Sequence, residues 1–224
     1  MDALFTTLSS EERLRAERFA FSRHRDAYVV ARGLLRRILG RYLGCKAALV
    51  SIVYGPYGKP MVNDAADLAF NLSHSESMVA YAFNRGVPIG IDIEYARPLA
   101  DLEDVARRFF HPAEYEQLRQ VAPEQKIRAF YNCWTRKEAF IKALGKGASH
   151  PLDSFQVTLL PGDSAAFVSI DGQPASKSAW SLQDVSPSLS YVAAIAIQAE
   201  HYQLHTRLFE RAEDCATFLD SGAL

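Results

Sequence analysis

Twice along this chain, helical periodicity gives way to strand alternation. Ser10-Glu11-Glu12-Arg13, a serine cap with early acids, opens a helix to about Phe19 or Phe21. A second helix is expected from about Asp26, where Ala27, Val30, Ala31, Leu34, Leu35, Ile38 and Tyr42 step by three and four until Gly44. Strands follow over 49–54, 68–71, 78–83 and 89–94, and the polar stretch Ser73-His74-Ser75-Glu76-Ser77 is expected to be a loop. After Arg97-Pro98 the order repeats, with helices over 102–109 and 112–121 and a long one from Pro123 to Gly145. Strands over 155–160, 166–170, 180–184 and 191–198 complete the second round. Helices followed by strands, twice, predict the α+β class and two halves, 1–95 and 96–224.

At 224 residues and 49% apolar content the chain can bury a core without help from metals or disulfides. Its 25 basic and 26 acidic residues nearly cancel, which argues against a general nucleic-acid binder or a polybasic membrane protein. The balance is uneven, because nine arginines between Arg13 and Arg41 meet only Glu17 and Asp26. That is a field suited to a small polyanion, although a solvated helix face accounts for any one of them. Cys45, Cys133 and Cys215 show no CxxC spacing, and no apolar run approaches a membrane span. A cytoplasmic location is expected, with no nucleic-acid or membrane partner.

Within Ile89-Gly90-Ile91-Asp92-Ile93-Glu94 a strand's period of two sets Gly90, Asp92 and Glu94 on one face and three isoleucines on the other. The plain interpretation is an edge strand with a solvated acidic face. The other is a metal site, with Gly90 small enough to let a ligand approach. In the long helix, Ile127, Phe130, Tyr131, Trp134 and Ile141 make an apolar stripe, and Glu138 falls inside it. An inward carboxylate needs a cation or a metal; an ordinary pair with Lys142 one turn on is the alternative. Asp92, Glu94 and Glu138 together are hard oxygen donors without His or Cys, the set that suits Mg2+. His74 could equally be an ordinary loop histidine.

Four blocks in order carry a family likeness: Tyr57-Gly58-Lys59-Pro60, Phe70-Asn71-Leu72-Ser73-His74-Ser75, the acidic hexapeptide, and Trp134-Thr135-Arg136-Lys137-Glu138-Ala139-Phe140-Ile141-Lys142 with Gly145-Lys146-Gly147. In order and spacing they resemble the surfactin-synthetase-type 4′-phosphopantetheinyl transferases. The resemblance implies two pseudo-twofold-related α/β halves with coenzyme A and Mg2+ in the cleft between them. It also implies transfer of 4′-phosphopantetheine to a serine of an apo acyl or peptidyl carrier protein, releasing 3′,5′-ADP. By position, Asp92, Glu94 and Glu138 correspond to metal-binding acids and Lys142 to the lysine on the diphosphate. Tyr57, Gly58, Lys59, Pro60 and Ser73 correspond to the adenine-side wall, and His74 to a phosphate contact. Arg25, or less securely in register Arg32, corresponds to the 3′-phosphate contact. Glu138, or else Asp92, is the implied general base. Arg97, Arg107, Arg108, Phe109 and Phe110 are candidates for carrier docking, and a monomer is expected to suffice. A Mg2+-dependent nucleotide or diphosphate hydrolase, and a non-catalytic carrier-binding module, are the alternatives.

Overall fold

The structure, a computed structural model, describes residues 1–224 apart from Asp64, Ala66, Ala223 and Leu224. Helices α1 (Asp2–Phe5), α2 (Ser10–Glu17) and α3 (Ser22–Leu43) precede strands β1 (Ile52–Tyr54), β2 (Pro60–Val62), β3 (Leu68–Ser75), β4 (Met78–Arg85) and β5 (Ile89–Tyr95). Helices α4 (Leu102–Phe109), α5 (Pro112–Gln120) and α6 (Pro123–Leu144) then precede β6 (Phe155–Val157), β7 (Phe167–Ile170), β8 (Gln173–Pro174), β9 (Ser181–Asp184) and β10 (Tyr191–Ile197). A last helix, α7 (Ala212–Asp220), follows. The protein is α+β, and helices lead strands twice. Among the described residues no helix is long and apolar enough to cross a membrane.

Compactness divides the chain elsewhere than at residue 95. One unit comprises Met1–Ile52, Val62–Ala65 and Leu204–Leu224, and the other Val53–Met61 and Ala66–Gln203. Halves 1–95 and 96–224 express the repeated order of elements, whereas the units express which segments pack together.

In the first unit, helix α2 is capped by Ser9, one residue earlier than the sequence suggests. Ser9 Oγ accepts from the Glu12 amide, and the Glu12 carboxylate accepts from the Ser9 amide, a reciprocal box that satisfies two orphan donors. The same buried carboxylate accepts from Arg32 at 2.7 Å and from Arg36 at 2.5 Å. Burial alone would raise the Glu12 pKa, but the Ser9 amide and both guanidinium groups outweigh it and hold the group below its ordinary value. Arg36 also donates to the carbonyls of Ala47 and Val50, and Arg37 is paired with Asp220. The basic field expected from this region is therefore partly consumed inside the unit. Arg32 is 7% exposed and bonded to Glu12, which corrects its candidacy as an open phosphate contact. Arg25 is exposed and lies 3.1 Å from Asp26.

The second unit is built around an antiparallel sheet in the order β5-β10-β9, with Asp92 opposite Ala194. Helix α6 packs on β5 and β10, burying Ala139, Phe140, Ile141 and Ala143. Pro123 stands in its first turn, where a missing N–H costs nothing, and Gly145 ends it at φ 67°. Phe140 meets Phe155, Phe167 and Trp180 edge to face at 4.8–5.0 Å between centroids, joining the helix to the neighbouring strands.

Strands β3 and β4 form a hairpin in register from Leu68↔Arg85 to Ser75↔Met78, closed by Glu76-Ser77 with Glu76 at φ 50°. His74 and Ser75 thus belong to a strand, which corrects the expected loop: Asn71, Ser73 and Ser75 are polar because their side chains bond sideways, not because the chain turns. Ile91 N donates to Asn71 Oδ1, Ser73 Oγ donates to Asp92 Oδ1, and Ser75 Oγ donates to Glu94 Oε2. Residue numbers rise together on both strands, so β3 and β5 run in the same direction, joined by side-chain bonds while belonging to separate ladders.

Candidate active site

The site begins with the contact between β5 and α6. A Cβ on Gly90 would fall 2.1 Å from the Ala139 carbonyl oxygen and 2.4 Å from the Ala143 amide nitrogen. What approaches Gly90 is therefore the helix backbone rather than a ligand, and the acidic face of β5 is covered, not a solvated edge. Two residues along the strand, Asp92 is 3% exposed, and its Oδ1 lies 2.5 Å from Lys142 Nζ. Lys142 also donates to Ser73 Oγ at 2.9 Å.

Asp92 Oδ2 is buried and has no hydrogen-bond partner among the described residues. A buried carboxylate oxygen is ordinarily satisfied, so this one fits an oxygen-seeking cation. Asp92, Glu94 and Glu138 line one cavity of about 430 Å3 with Leu72, Ser73, His74, Trp134 and Lys142. Among the described residues no three His, Cys, Asp or Glu side chains form a ready-made metal cluster. The acids share a chamber without being drawn into a knot. No hydrogen bond or ion pair among the described residues engages Glu138. Burial raises the pKa of Asp92, of Glu94 and of Glu138; Lys142 opposes the rise at all three, and Asp92 adds to it at Glu138.

A second cavity, of about 460 Å3, shares Leu72, Trp134, Glu138 and Lys142 with the first. Tyr57, Gly58, Lys59 and Pro60 form part of its wall, with Phe109, Ile141, His150 and Leu152 supplying much of the rest. Lys59 Nζ donates to the carbonyls of Ala143 and Ile89, at 2.8 and 3.3 Å, near the C-terminal end of α6 and the start of β5. Burial lowers its pKa to about 8. Gly145 makes room for this lysine, since a Cβ there would stand 3.0 Å from Lys59 Cδ.

Expected site residues are thus gathered in two adjoining chambers of one unit, Tyr57 to Pro60 in the larger and Ser73, His74, Asp92 and Glu94 in the acidic one. Glu138 and Lys142 border both. Ser73 stands on the acidic side, with its hydroxyl committed to Asp92 and Lys142. His74 is exposed at the acidic rim. Arg25 belongs to the other unit. Of the residues suggested for docking, Phe110 is 2% exposed and is core. Phe109 lines the larger cavity and meets Trp134 edge to face, while Arg97 and Arg107 are paired with Glu76 and Asp104. His150 carries no sequence signal beyond its place just after the Gly145-Lys146-Gly147 turn.

Two family models cover most of the chain: the 4′-phosphopantetheinyl transferase superfamily matches residues 88–196, and the 4′-phosphopantetheinyl transferase N-terminal model matches residues 1–85. The 4′-phosphopantetheinyl transferase HetI of Nostoc sp. is 42% identical over 203 residues, 89% of this chain and 82% of that protein. The 4′-phosphopantetheinyl transferase Sfp of Bacillus subtilis is 37% identical over 152 residues, 68% of this chain and 66% of that protein. The chain belongs to the 4′-phosphopantetheinyl transferase family. It is accordingly an enzyme, a transferase of that class.

Proposed function

We propose that the protein transfers 4′-phosphopantetheine from coenzyme A to a serine of an apo acyl or peptidyl carrier protein, with Mg2+ held by Asp92, Glu94 and Glu138. The observation that carries this is the convergence of these three acids with Lys142 in one cavity, where Asp92 Oδ2 has no hydrogen-bond partner among the described residues. Mg2+ bound there would offset diphosphate charge as the phosphorus–oxygen bond breaks.

The wall of Tyr57, Gly58, Lys59 and Pro60 holds the adenine side of coenzyme A in the larger cavity, beside the acids. Lys142 and His74 stabilise the phosphate charge of the departing 3′,5′-ADP. The carrier serine oxygen forms a bond to the β-phosphorus while the bond from that phosphorus to the bridging oxygen breaks. Glu138, raised in pKa by burial and without a hydrogen-bonding partner among the described residues, takes the serine proton. Asp92, bonded to Ser73 and Lys142, is less free to do so. Arg25 is assigned to the 3′-phosphate, the reaction takes place in the cytoplasm, and a monomer carries it out.

Intact mass of apo carrier proteins after incubation with coenzyme A and Mg2+, with an EDTA control, tests the proposal. The parent protein adds the phosphopantetheine mass, EDTA abolishes the addition, and Glu138→Gln lowers the rate at least about 100-fold while thermal unfolding stays close to the parent's. Normal transfer by Asp92→Ala would refute the metal assignment. Rapid release of 3′,5′-ADP from coenzyme A without any carrier would indicate a hydrolase instead.

A further inference from the structure

The two hydroxyls that join β3 to β5 occupy equivalent positions beside the two strand acids. Ser73 Oγ stands 2.8 Å from Asp92 Oδ1 and 2.9 Å from Lys142 Nζ. Ser75 Oγ stands 2.8 Å from Glu94 Oε2 and 3.0 Å from the Tyr95 backbone nitrogen. An ammonium group and a backbone N–H can only donate, so each serine accepts from one and has its single hydroxyl proton left for the carboxylate. The direction of both hydroxyls is thereby fixed. Each acid has one oxygen held by its serine, and the other, Asp92 Oδ2 or Glu94 Oε1, lies outside that bond. The Asp92 oxygen is the buried one that lacks a hydrogen-bond partner among the described residues.

We propose that Ser75 and Ser73 are positioning residues that fix the rotamers of Glu94 and Asp92, so that one oxygen of each is offered to a divalent cation. The inference rests on the metal assignment of the proposed function, and it assigns to Ser75 a role that the acids alone do not reveal. Ser75 is the more decisive test, because no ion pair among the described residues holds Glu94 in place, whereas Asp92 retains its pair with Lys142. Without the Ser75 hydroxyl the Tyr95 amide loses its acceptor and the Glu94 side chain is released to other rotamers.

The experiment measures Mn2+ binding to the full chain without coenzyme A or carrier, by loss of the free-ion electron paramagnetic resonance signal, for the parent, Ser75→Ala and Ser75→Thr. Mn2+ shares the preference for oxygen ligands and reports binding independently of turnover. The expected result is about ten-fold weaker binding in Ser75→Ala, recovery in Ser75→Thr, and thermal unfolding midpoints that agree among the three. A Ser75→Ala protein that binds Mn2+ as the parent does, or a Ser75→Thr protein as weak as the alanine variant, overturns the positioning role and leaves the metal assignment standing. A parent that binds no Mn2+ overturns the metal assignment and this inference together. If Ser75→Ala unfolds, the Thr variant carries the comparison: parent-like binding supports the role, and weak binding in a folded Thr protein refutes it.

Discussion

The Ala139 carbonyl oxygen occupies the space that a Cβ on Gly90 would need, 2.1 Å from where that atom would sit. The strand and the helix meet backbone to backbone at this point. Everything beyond it along β5, Asp92 and then Glu94, is set against α6 by that contact. Gly90→Ala must push the helix away or bend the strand, at a cost of about 3 kcal/mol. We expect a lower midpoint in urea unfolding together with impaired transfer, since the displacement separates Asp92 from Lys142. A variant with parent stability and parent activity would contradict the tight approach.

Lys137 and Glu114 are both 0% exposed and lie 2.9 Å apart. Glu114 also accepts from the amides of Val157 and His111, and Lys137 donates to the carbonyls of Leu152 and Phe155. The two removals are therefore unequal. Glu114→Ala leaves a buried ammonium without its counter-ion and two amides without acceptors, and should cost about 4 kcal/mol. Lys137→Met leaves a buried carboxylate that still accepts two amides, together with two carbonyls that tolerate a missing donor better than amides tolerate a missing acceptor, and should cost about 3 kcal/mol. Urea unfolding at neutral pH ranks them, and the reverse order would show that the ammonium is the better solvated partner.

Lys59 has its pKa lowered by burial to about 8, against an ordinary 10.5. Between these values the unfolded chain holds the proton more tightly than the folded one, so this group favours folding increasingly as pH rises from about 8 to 10.5. On the role proposed for the Tyr57 to Pro60 wall, binding follows the opposite course, because the positive charge that Lys59 brings to that wall is lost over the same rise. The KM for coenzyme A should climb above about pH 8 in the parent. In Lys59→Arg, whose guanidinium stays charged, that climb should disappear, and a profile identical in both proteins would remove Lys59 from ligand binding.

Glu12 has a folded-state pKa below its ordinary value, so its contribution to stability is present above that ordinary value and is lost as pH falls through the lowered one. Acid should therefore weaken the first unit by protonating the acceptor of Arg32 and Arg36. Glu12→Gln should flatten the acid limb of the stability profile and reduce stability at neutral pH, read by urea unfolding at several pH values.

Helix α6 and strand β5 were legible because each obeys one period over several residues, and the acids were conspicuous as charges inside apolar patterns. The β3 strand beyond Asn71 was not. Ser73, His74 and Ser75 have turn-like composition, and only the neighbouring strand reveals that polar side chains there replace ladder bonds. Gly90 misled for a related reason: its missing side chain is visible in the sequence, but what fills the space is not. The arginine-rich N-terminal segment looked like an open basic surface because Glu12, the carboxylate that buries Arg32 and Arg36, lies some twenty residues before them, beyond the reach of local patterning. Helix α1 spans a single turn and offered no period to read.

On α6, Lys137 and Glu138 are consecutive, one bonded into the core and the other open to the cavities. The placement of the proposed base is thus inherited from the interior and does not depend on the residues that frame the chamber. Efforts to change which ligands the protein accepts can therefore start from a wall residue such as Leu72, whereas changes on the buried face of the helix, at Lys137 or Phe140, register first as lost stability.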